Sequence, residues 1–244
     1  MSTSGSASAA VAPKGLKGIV ASLRGPSDPW TDLGLTLPIF LGYHVGVAFL
    51  PKRNAADFMS SALVDLAGQS ILAYLALTAA IGGVLVGTLV MVGRGKQLSW
   101  KRFALVLAEG AAYAIAMRLV AGYVVGSLRL GAGDGGPFTG LIMSLGAGFY
   151  EEIAFRVVLF GLGAKLLTRF IKKQQLLLVL GWALLTSLVF SGWHYVGPFS
   201  DSFALGSFLF RAVCGIVFVS IYRFRGFAPV VWCHALYDIW VLVL

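Results

Sequence analysis

The sequence carries few charged residues for its length. Only 12% of its 244 residues are charged and 58% are hydrophobic, whereas a soluble globular domain carries about 25% charged residues. So few charges cannot cover a globule of this size with polar groups, which excludes an ordinary soluble domain and leaves most of the surface to face lipid. We therefore predict an all-α, polytopic transmembrane helical bundle of about seven spans, within a range of about six to eight, because each span needs about 20 apolar residues.

Acidic residues and cysteines are also scarce. The chain has 10 Asp and Glu against 19 Lys and Arg, a net charge of +9. In a soluble protein this excess would suggest nucleic acid, but in a membrane protein it reflects basic cytoplasmic loops, so we expect no nucleic-acid partner. The two cysteines, Cys214 and Cys233, lie in apolar runs. They provide neither a disulfide framework nor a CxxC metal site, and we expect buried thiols.

The N-terminal segment lacks the apolar stretch of about 7–15 residues that a secretory signal peptide has before its cleavage site. Residues 1–30 are rich in Ser, Ala, Gly and Pro, and we expect a flexible cytoplasmic tail there. The remainder, 31–244, is predicted to form a single transmembrane domain. Its apolar runs predict spans at 33–50, 66–92, 103–127, 138–164, 176–196, 203–222 and 227–244.

The basic residues are distributed unevenly among the predicted loops. Thirteen of the 19 Lys and Arg residues lie in the N-terminal tail and in the loops 93–102, 165–175 and 222–226, and only three lie in the alternate loops. Cytoplasmic loops carry the excess of Lys and Arg, so we predict a cytoplasmic N-terminus and a C-terminus across the membrane. The Ala-, Gly- and Val-rich composition is typical of a bacterial protein, and we expect a multi-pass protein of the bacterial cytoplasmic membrane.

Ionisable residues nevertheless occur in or beside the apolar runs. A charge near the bilayer centre costs about 2.5–3.5 kcal/mol on insertion scales, and such groups usually line a cavity or a partner. We expect Glu109, Arg118 and Arg211 to form interhelical ion pairs, with a substrate carboxylate as the alternative partner of Arg211, and His44 to be a packing or interfacial residue. The full set is His44, Asp65, Glu109, Arg118, Glu151, Glu152, Arg156, His194, Arg211, His234 and Asp238.

Two adjacent glutamates in the fourth run are predicted to have different environments. Glu152 and Arg156 are four residues apart and share a helix face, so they can form an ion pair that makes the burial of both tolerable. Glu151 is rotated by about 100° and points elsewhere, without a partner from its own helix. A carboxylate removed from water in this way is a candidate general base or acid.

Two further pairs at the same spacing contain histidines. Phe190 can pack beneath the imidazole of His194, and the carboxylate of Asp238 can orient His234. Amide hydrolysis needs an activated water, a proton for the leaving amine and hydrogen-bond donors for the oxyanion. Glu151 with His194 can supply the first two, and His234 can donate to the oxyanion.

The three pairs, taken in order, resemble the motifs of the CAAX-protease and bacteriocin-processing intramembrane endopeptidases, which include the type II CAAX prenyl endopeptidases. The resemblance covers 138–244 and implies a helical bundle with an intramembrane cavity, in which Glu151 and His194 activate water while His234 and the residue at 238 support the oxyanion. Family members often have Asn where this chain has Asp238. An Asp donates a hydrogen bond only when protonated, so its expected role is to orient His234. The matching motifs are Glu151-Glu152-x-x-x-Arg156, Phe190-x-x-x-His194 and His234-x-x-x-Asp238.

Alternatives remain for the same residues. Glu151 could be a structural carboxylate paired with a cation such as Arg118 or Arg211. Two histidines and a carboxylate could also bind a catalytic zinc ion with one open position. The sequence has no HExxH or similar local spacing, however, and the ligands would come from three separate helices, so we favour a glutamate-type site without a metal or other cofactor.

The expected function is intramembrane proteolysis of a membrane-embedded or lipid-anchored protein or peptide. In a bacterium, bacteriocin processing or removal of a C-terminal sorting anchor is a more plausible role than cleavage of prenylated CAAX substrates. The alternative is a non-catalytic membrane protein, either a transporter or a bacteriocin immunity or scaffold protein that keeps the motif residues for packing. Straight spans would place Glu151, His194 and His234 at different depths, so convergence requires a bend near Gly192, a deeper turn through 197–198 or span boundaries that differ from the predicted ones.

Overall fold

The computed structural model shows a helical protein without strands over the residues that it describes. These are 29–50, 53–68, 70–92, 100–125, 136–197 and 200–244. The predicted tail lies outside them except for its last two residues. The helices are α1 (Pro29–Val47), α2 (Phe58–Leu66), α3 (Ile71–Val92), α4 (Trp100–Val125), α5 (Gly136–Gly146), a π-helical segment (Ala147–Leu162), α6 (Gly163–Phe170), α7 (Gln175–Trp193), α8 (Leu205–Arg225) and α9 (Phe227–Leu242).

Four helices, α3, α4, α7 and α8, are long and apolar enough to cross a membrane, and α9 is a shorter apolar helix. They indicate an integral membrane protein, and the all-α prediction is confirmed over the described residues. The number of spans and the orientation of the chain remain predictions. Much of the predicted loop charge lies outside the described residues, at 1–28 and 93–99.

Helix α2 is a short helix that the hydropathy does not predict. Its N-terminus is capped by Asp57, whose carboxylate accepts a hydrogen bond from the backbone N–H of Ser60 at 2.8 Å. Such a cap satisfies one of the backbone donors that a helix start leaves unpaired. The chain turns just after α2 at Gly68, which has a φ of 58°. Asp65 therefore lies exposed near the end of α2, outside any long helix.

Helix α9 is the centre of the bundle. It packs against α1, α4, α5, the π-helical segment and α8. Five of its residues between positions 228 and 235 have no exposed surface: Ala228, Val230, Val231, Cys233 and Ala235. A helix that is hydrophobic all round is stable only when neighbouring elements surround it. The long outer helices thus shield α9, and the histidine that it carries, from lipid.

The start of α9 is fixed by two residues. Asp32 on α1 accepts hydrogen bonds through Oδ2 from the backbone N–H groups of Phe227 at 2.5 Å and Ala228 at 3.2 Å. A carboxylate in this position is favoured because the N-terminus of a helix is electropositive. Gly226, between α8 and α9, has φ 100° and ψ −170°, a conformation that is essentially restricted to glycine. The sharp turn allows α9 to fold back directly against α8.

The helix that carries the two glutamates is continuous from α5 through the π-helical segment to α6. The backbone of a π-helix forms i→i+5 hydrogen bonds, a pattern that is rare and frequently occurs at functional sites. This segment approaches α9 closely at Gly148, where a Cβ atom would lie 2.7 Å from the Cβ of Ala235 and 2.9 Å from the carbonyl oxygen of Val231. The absence of a side chain at Gly148 therefore brings the glutamates near the histidine of α9.

We predict that Gly226→Ala destabilises the fold by about 1–3 kcal/mol, because alanine is strained in this backbone conformation. Thermal unfolding in detergent micelles measures the effect. Gly83→Ala in α3 is the matched control, since none of the described residues comes within 4 Å of the added Cβ there. Equal midpoint temperatures for the two variants would contradict the assigned role of the turn.

Candidate active site

Glu151 lies buried in the π-helical segment, with 6% of its surface exposed. Its Oε1 accepts a hydrogen bond of 2.8 Å from the side-chain amide of Asn54. Its Oε2 is 3.9 Å from Nε2 of His194 and has no hydrogen-bond partner among the described residues. One carboxylate oxygen is thus occupied, and the other faces an imidazole nitrogen.

His194 directly follows α7, and its protonation pattern can be read from its contacts. Its Nδ1 lies 3.0 Å from the carbonyl oxygen of Phe190. A carbonyl only accepts hydrogen bonds, so Nδ1 is the nitrogen that carries the proton in the neutral ring. Nε2, which faces Glu151, is then available as a base.

His194 lies at the start of a turn that follows α7. Gly197 has a φ of 102°, and the backbone N–H of Asp201 donates to the carbonyl oxygen of His194 at 2.9 Å. The histidine is therefore part of a turn that folds back on itself. Glu151 and His194, which straight spans would separate in depth, meet at this turn.

Glu152 and His234 form a second pair beside the first. Nδ1 of His234 is 2.6 Å from Oε1 of Glu152, and Nε2 is 3.5 Å from Oδ2 of Asp238. Oε2 of Glu152 lies 3.1 Å from Nε of Arg156, which is the ion pair expected from their spacing. The carboxylate nearest to His234 is thus Glu152, from the π-helical segment, whereas the sequence suggested only Asp238.

Aromatic rings separate and position the two histidines. The ring of Phe190 lies 5.2 Å from that of His194 and 6.0 Å from that of His234, edge-on to both. Phe218 on α8 stacks on His234 with its ring centroid at 4.5 Å. The guanidinium of Arg156 lies 4.0 Å above the centre of the Phe190 ring, an arrangement in which the ring stabilises the cation. Phe190 therefore contacts both histidines of the predicted site and Arg156.

The structure also contains a residue that the sequence did not reveal. Asn54, between α1 and α2, contacts Glu151 although 97 positions separate them. It is the only asparagine in the chain, which is the single signal that could have drawn attention to it.

Helix α1 contacts the residue before Glu151. Nε2 of His44 on this helix lies 2.6 Å from the hydroxyl of Tyr150. His44 is fully buried, which agrees with the expected packing role.

The expectation of interhelical ion pairs holds for Glu109 and not for Arg211. Glu109 on α4 pairs with Arg225 on α8 at 2.5 Å. Arg211 on α8 pairs at 2.5 Å with Asp201, which precedes that helix in the chain, so its expected interhelical pair is wrong. Both actual partners were assigned to loops. Because Arg211 pairs with Asp201, it is not the cation that the structural interpretation of Glu151 requires.

The geometry can be compared with the needs of a metal ion. A catalytic zinc ion takes three protein ligands and keeps one open position. Among the described residues, no group of three His, Cys, Asp or Glu side chains is arranged to hold a metal. Both nitrogens of His234 face carboxylates of the protein. This arrangement of the described residues does not fit a zinc site. That the mechanism needs no metal stays a prediction.

Residues 134–240 match the family model described as Type II CAAX prenyl endopeptidase Rce1-like. The matched part covers less than half of the chain and includes all the predicted site residues, from Glu151 to Asp238. It confirms the resemblance that the three motifs indicated, and because this is a protease family it supports a peptidase. No curated protein and no solved structure matches the chain.

We predict that Glu152→Ala destabilises the protein by about 3–5 kcal/mol, because it leaves the buried guanidinium of Arg156 without its carboxylate. Asp201→Ala is the matched control. It removes the carboxylate of a partly exposed ion pair with Arg211 and should cost less than about 1 kcal/mol. Thermal unfolding in detergent compares the two, and a smaller loss for Glu152→Ala than for Asp201→Ala would contradict the structural role of Glu152.

Proposed function

We propose that the protein is an intramembrane endopeptidase that hydrolyses peptide bonds of membrane-embedded or lipid-anchored proteins with a water activated by Glu151 and His194. The observation that carries the proposal is Oε2 of Glu151, which has no hydrogen-bond partner among the described residues and faces Nε2 of His194 at 3.9 Å. This separation suits one water that donates a hydrogen bond of about 2.8 Å to each atom.

The first step of the reaction is attack by this water on the scissile carbonyl carbon. Glu151 takes the proton that the water releases, and the electron pair of the C=O π bond moves to the carbonyl oxygen. The tetrahedral intermediate then collapses, the C–N bond breaks, and the leaving amine receives the proton that Glu151 took from the water. General acid–base catalysis of this kind contributes about 10²–10⁴-fold to the rate.

His234 is the proposed donor to the oxyanion. Its Nδ1 proton is engaged by Glu152 at 2.6 Å, so the ring donates from Nε2 only when both nitrogens carry protons. A ring protonated at both nitrogens is positively charged, and the flanking carboxylates of Glu152 and Asp238 balance that charge. The Nε2–Asp238 separation of 3.5 Å is longer than a normal hydrogen bond. The Nε2 proton therefore remains available to an incoming oxyanion, while Asp238 supports the positive ring.

The substrate follows from where the site lies. Glu151 is buried and His194 partly buried within a bundle whose outer helices expose apolar side chains such as Leu72, Val84 and Leu180. A peptide bond reaches such a site most directly from the bilayer, which favours a substrate with a lipid-embedded or lipidated end. For a bacterial chain we propose bacteriocin processing or removal of a C-terminal sorting anchor, and prenylated peptides are the substrates to compare because the family description names them.

We predict that Glu151→Gln and His194→Ala lower cleavage by about 10²–10⁴-fold while leaving the fold intact. The protein is reconstituted in vesicles and assayed with quenched fluorescent peptides that carry a hydrophobic anchor, with and without a C-terminal prenylcysteine. Asp65→Asn, an exposed position at the end of α2, is the control and should retain full activity.

The physiological substrate can be identified by capture on Glu151→Gln in cells, followed by mass spectrometry of the uncut partner. Cleavage by Glu151→Gln and His194→Ala at the wild-type rate would contradict the proposal. A cellular phenotype that survives both substitutions would instead support the non-catalytic scaffold or immunity role.

We also predict that purified protein keeps its activity after treatment with a zinc chelator and contains less than stoichiometric zinc. The reason is that, among the described residues, no three His, Cys, Asp or Glu side chains converge on one point. Elemental analysis of the protein together with the vesicle assay tests this. Loss of activity with the chelator and its recovery with added zinc would favour the metal-dependent mechanism.

A further inference from the structure

Asn54 reaches the candidate site from outside the region that matches the family. It lies in the segment between α1 and α2, whereas the match begins at residue 134. Its side-chain amide donates to Oε1 of Glu151 at 2.8 Å. No other residue among those described forms a hydrogen bond with this carboxylate, so the orientation of Glu151 depends on a residue from the N-terminal part of the chain.

The orientation of the Asn54 amide is determined by the backbone that follows it. Its Oδ1 accepts a hydrogen bond of 2.8 Å from the N–H of Ala56. Since a backbone N–H can only donate, the oxygen must lie on that side and the NH₂ group must face Glu151. In the contact with Glu151, the Asn54 side chain is therefore the donor and the carboxylate is the acceptor.

The backbone of Asn54 is itself held in place. Its N–H donates to the hydroxyl of Tyr43 at 3.0 Å, and that hydroxyl donates to Oδ2 of Asp57 at 2.7 Å. The other oxygen of Asp57 caps α2 through Ser60. Tyr43, Asp57 and Ser60 are buried. Tyr43 on α1 thus holds the backbone of Asn54, and the N–H of Ala56, just before α2, holds its side chain.

We propose that Asn54 is a positioning residue for Glu151: its NH₂ group occupies Oε1 and thereby leaves Oε2 as the oxygen that faces His194 and the attacking water. This inference rests on the proposed peptidase function for its catalytic consequence. The contact itself can be tested separately through stability, so the two ideas can fail independently.

Asn54→Asp is the sharpest single variant. Aspartate still accepts from the N–H of Ala56, so the turn is preserved, but it presents an oxygen to Glu151 in place of a donor. We expect kcat to fall by about 10- to 100-fold with little change in KM, the effect of losing one hydrogen bond to a charged group. A carboxyl group donates when protonated, so the activity of the variant relative to wild type should rise as the pH is lowered.

A swapped pair tests the contact without an activity assay. Asn54→Asp alone places two carboxylates face to face and should lower the unfolding temperature in detergent. Adding Glu151→Gln provides a donor on the opposite side, and the double variant should regain most of the loss while remaining inactive. Asn54→Asp combined with Asp65→Asn is the control, because it removes one negative charge elsewhere and should give no recovery.

The outcomes separate the two ideas. Recovery by Glu151→Gln but not by Asp65→Asn, together with the lowered kcat of Asn54→Asp, supports the inference. Equal recovery by both, or a wild-type kcat for Asn54→Asp, overturns it even where Glu151→Gln is inactive. A vesicle assay in which Glu151→Gln is as active as wild type overturns the peptidase function and the catalytic role of Asn54 with it. If Asn54→Asp does not fold, kcat of Asn54→Ala decides, and a wild-type value overturns the inference.

Discussion

The structure of the candidate site depends on the carboxylate of Glu152, which is shared between His234 and Arg156. All three side chains are almost completely buried, and an unpaired charge there would be strongly destabilising. The shared carboxylate therefore fixes α9 against the π-helical segment. Glu152 contacts these two partners. Its neighbour Glu151 points away from them, towards Asn54 and His194. Two adjacent residues of the same type thus have separate tasks, one structural and one proposed to be catalytic.

The bundle solves a problem that lipid imposes on any hydrolytic site. Charged groups are tolerated within a membrane where protein surrounds them, and α9, which carries His234, packs against five neighbouring elements. Asp32 and the glycine turn at 226 allow α9 to start directly against α8. The absence of a side chain at Gly148 then permits close contact with the π-helical segment. The outer helices meet lipid, and the ionisable pairs face one another inside.

Local spacing predicts contacts within one helix, and those contacts are present. Glu152–Arg156, Phe190–His194 and His234–Asp238 are each four residues apart, and each pair is in contact. Periodicity carries no information about partners from other helices. The contacts of Glu152 with His234, of Glu109 with Arg225 and of Glu151 with Asn54 join residues 82, 116 and 97 positions apart. The π-helical geometry and the short helix α2 were likewise not visible in hydropathy.

The site is assembled from two parts of the chain that differ in their resemblance to known proteins. The region that matches the family contributes both glutamates and two histidines, and those motifs alone make the resemblance recognisable. The unmatched part contributes the amide that occupies Oε1 of Glu151 and, through His44, the hydrogen bond to the neighbouring Tyr150. A carboxylate with both oxygens unoccupied could rotate between two equivalent positions relative to His194. The N-terminal helices remove that freedom, so in this chain they are as much a part of the site as the motifs.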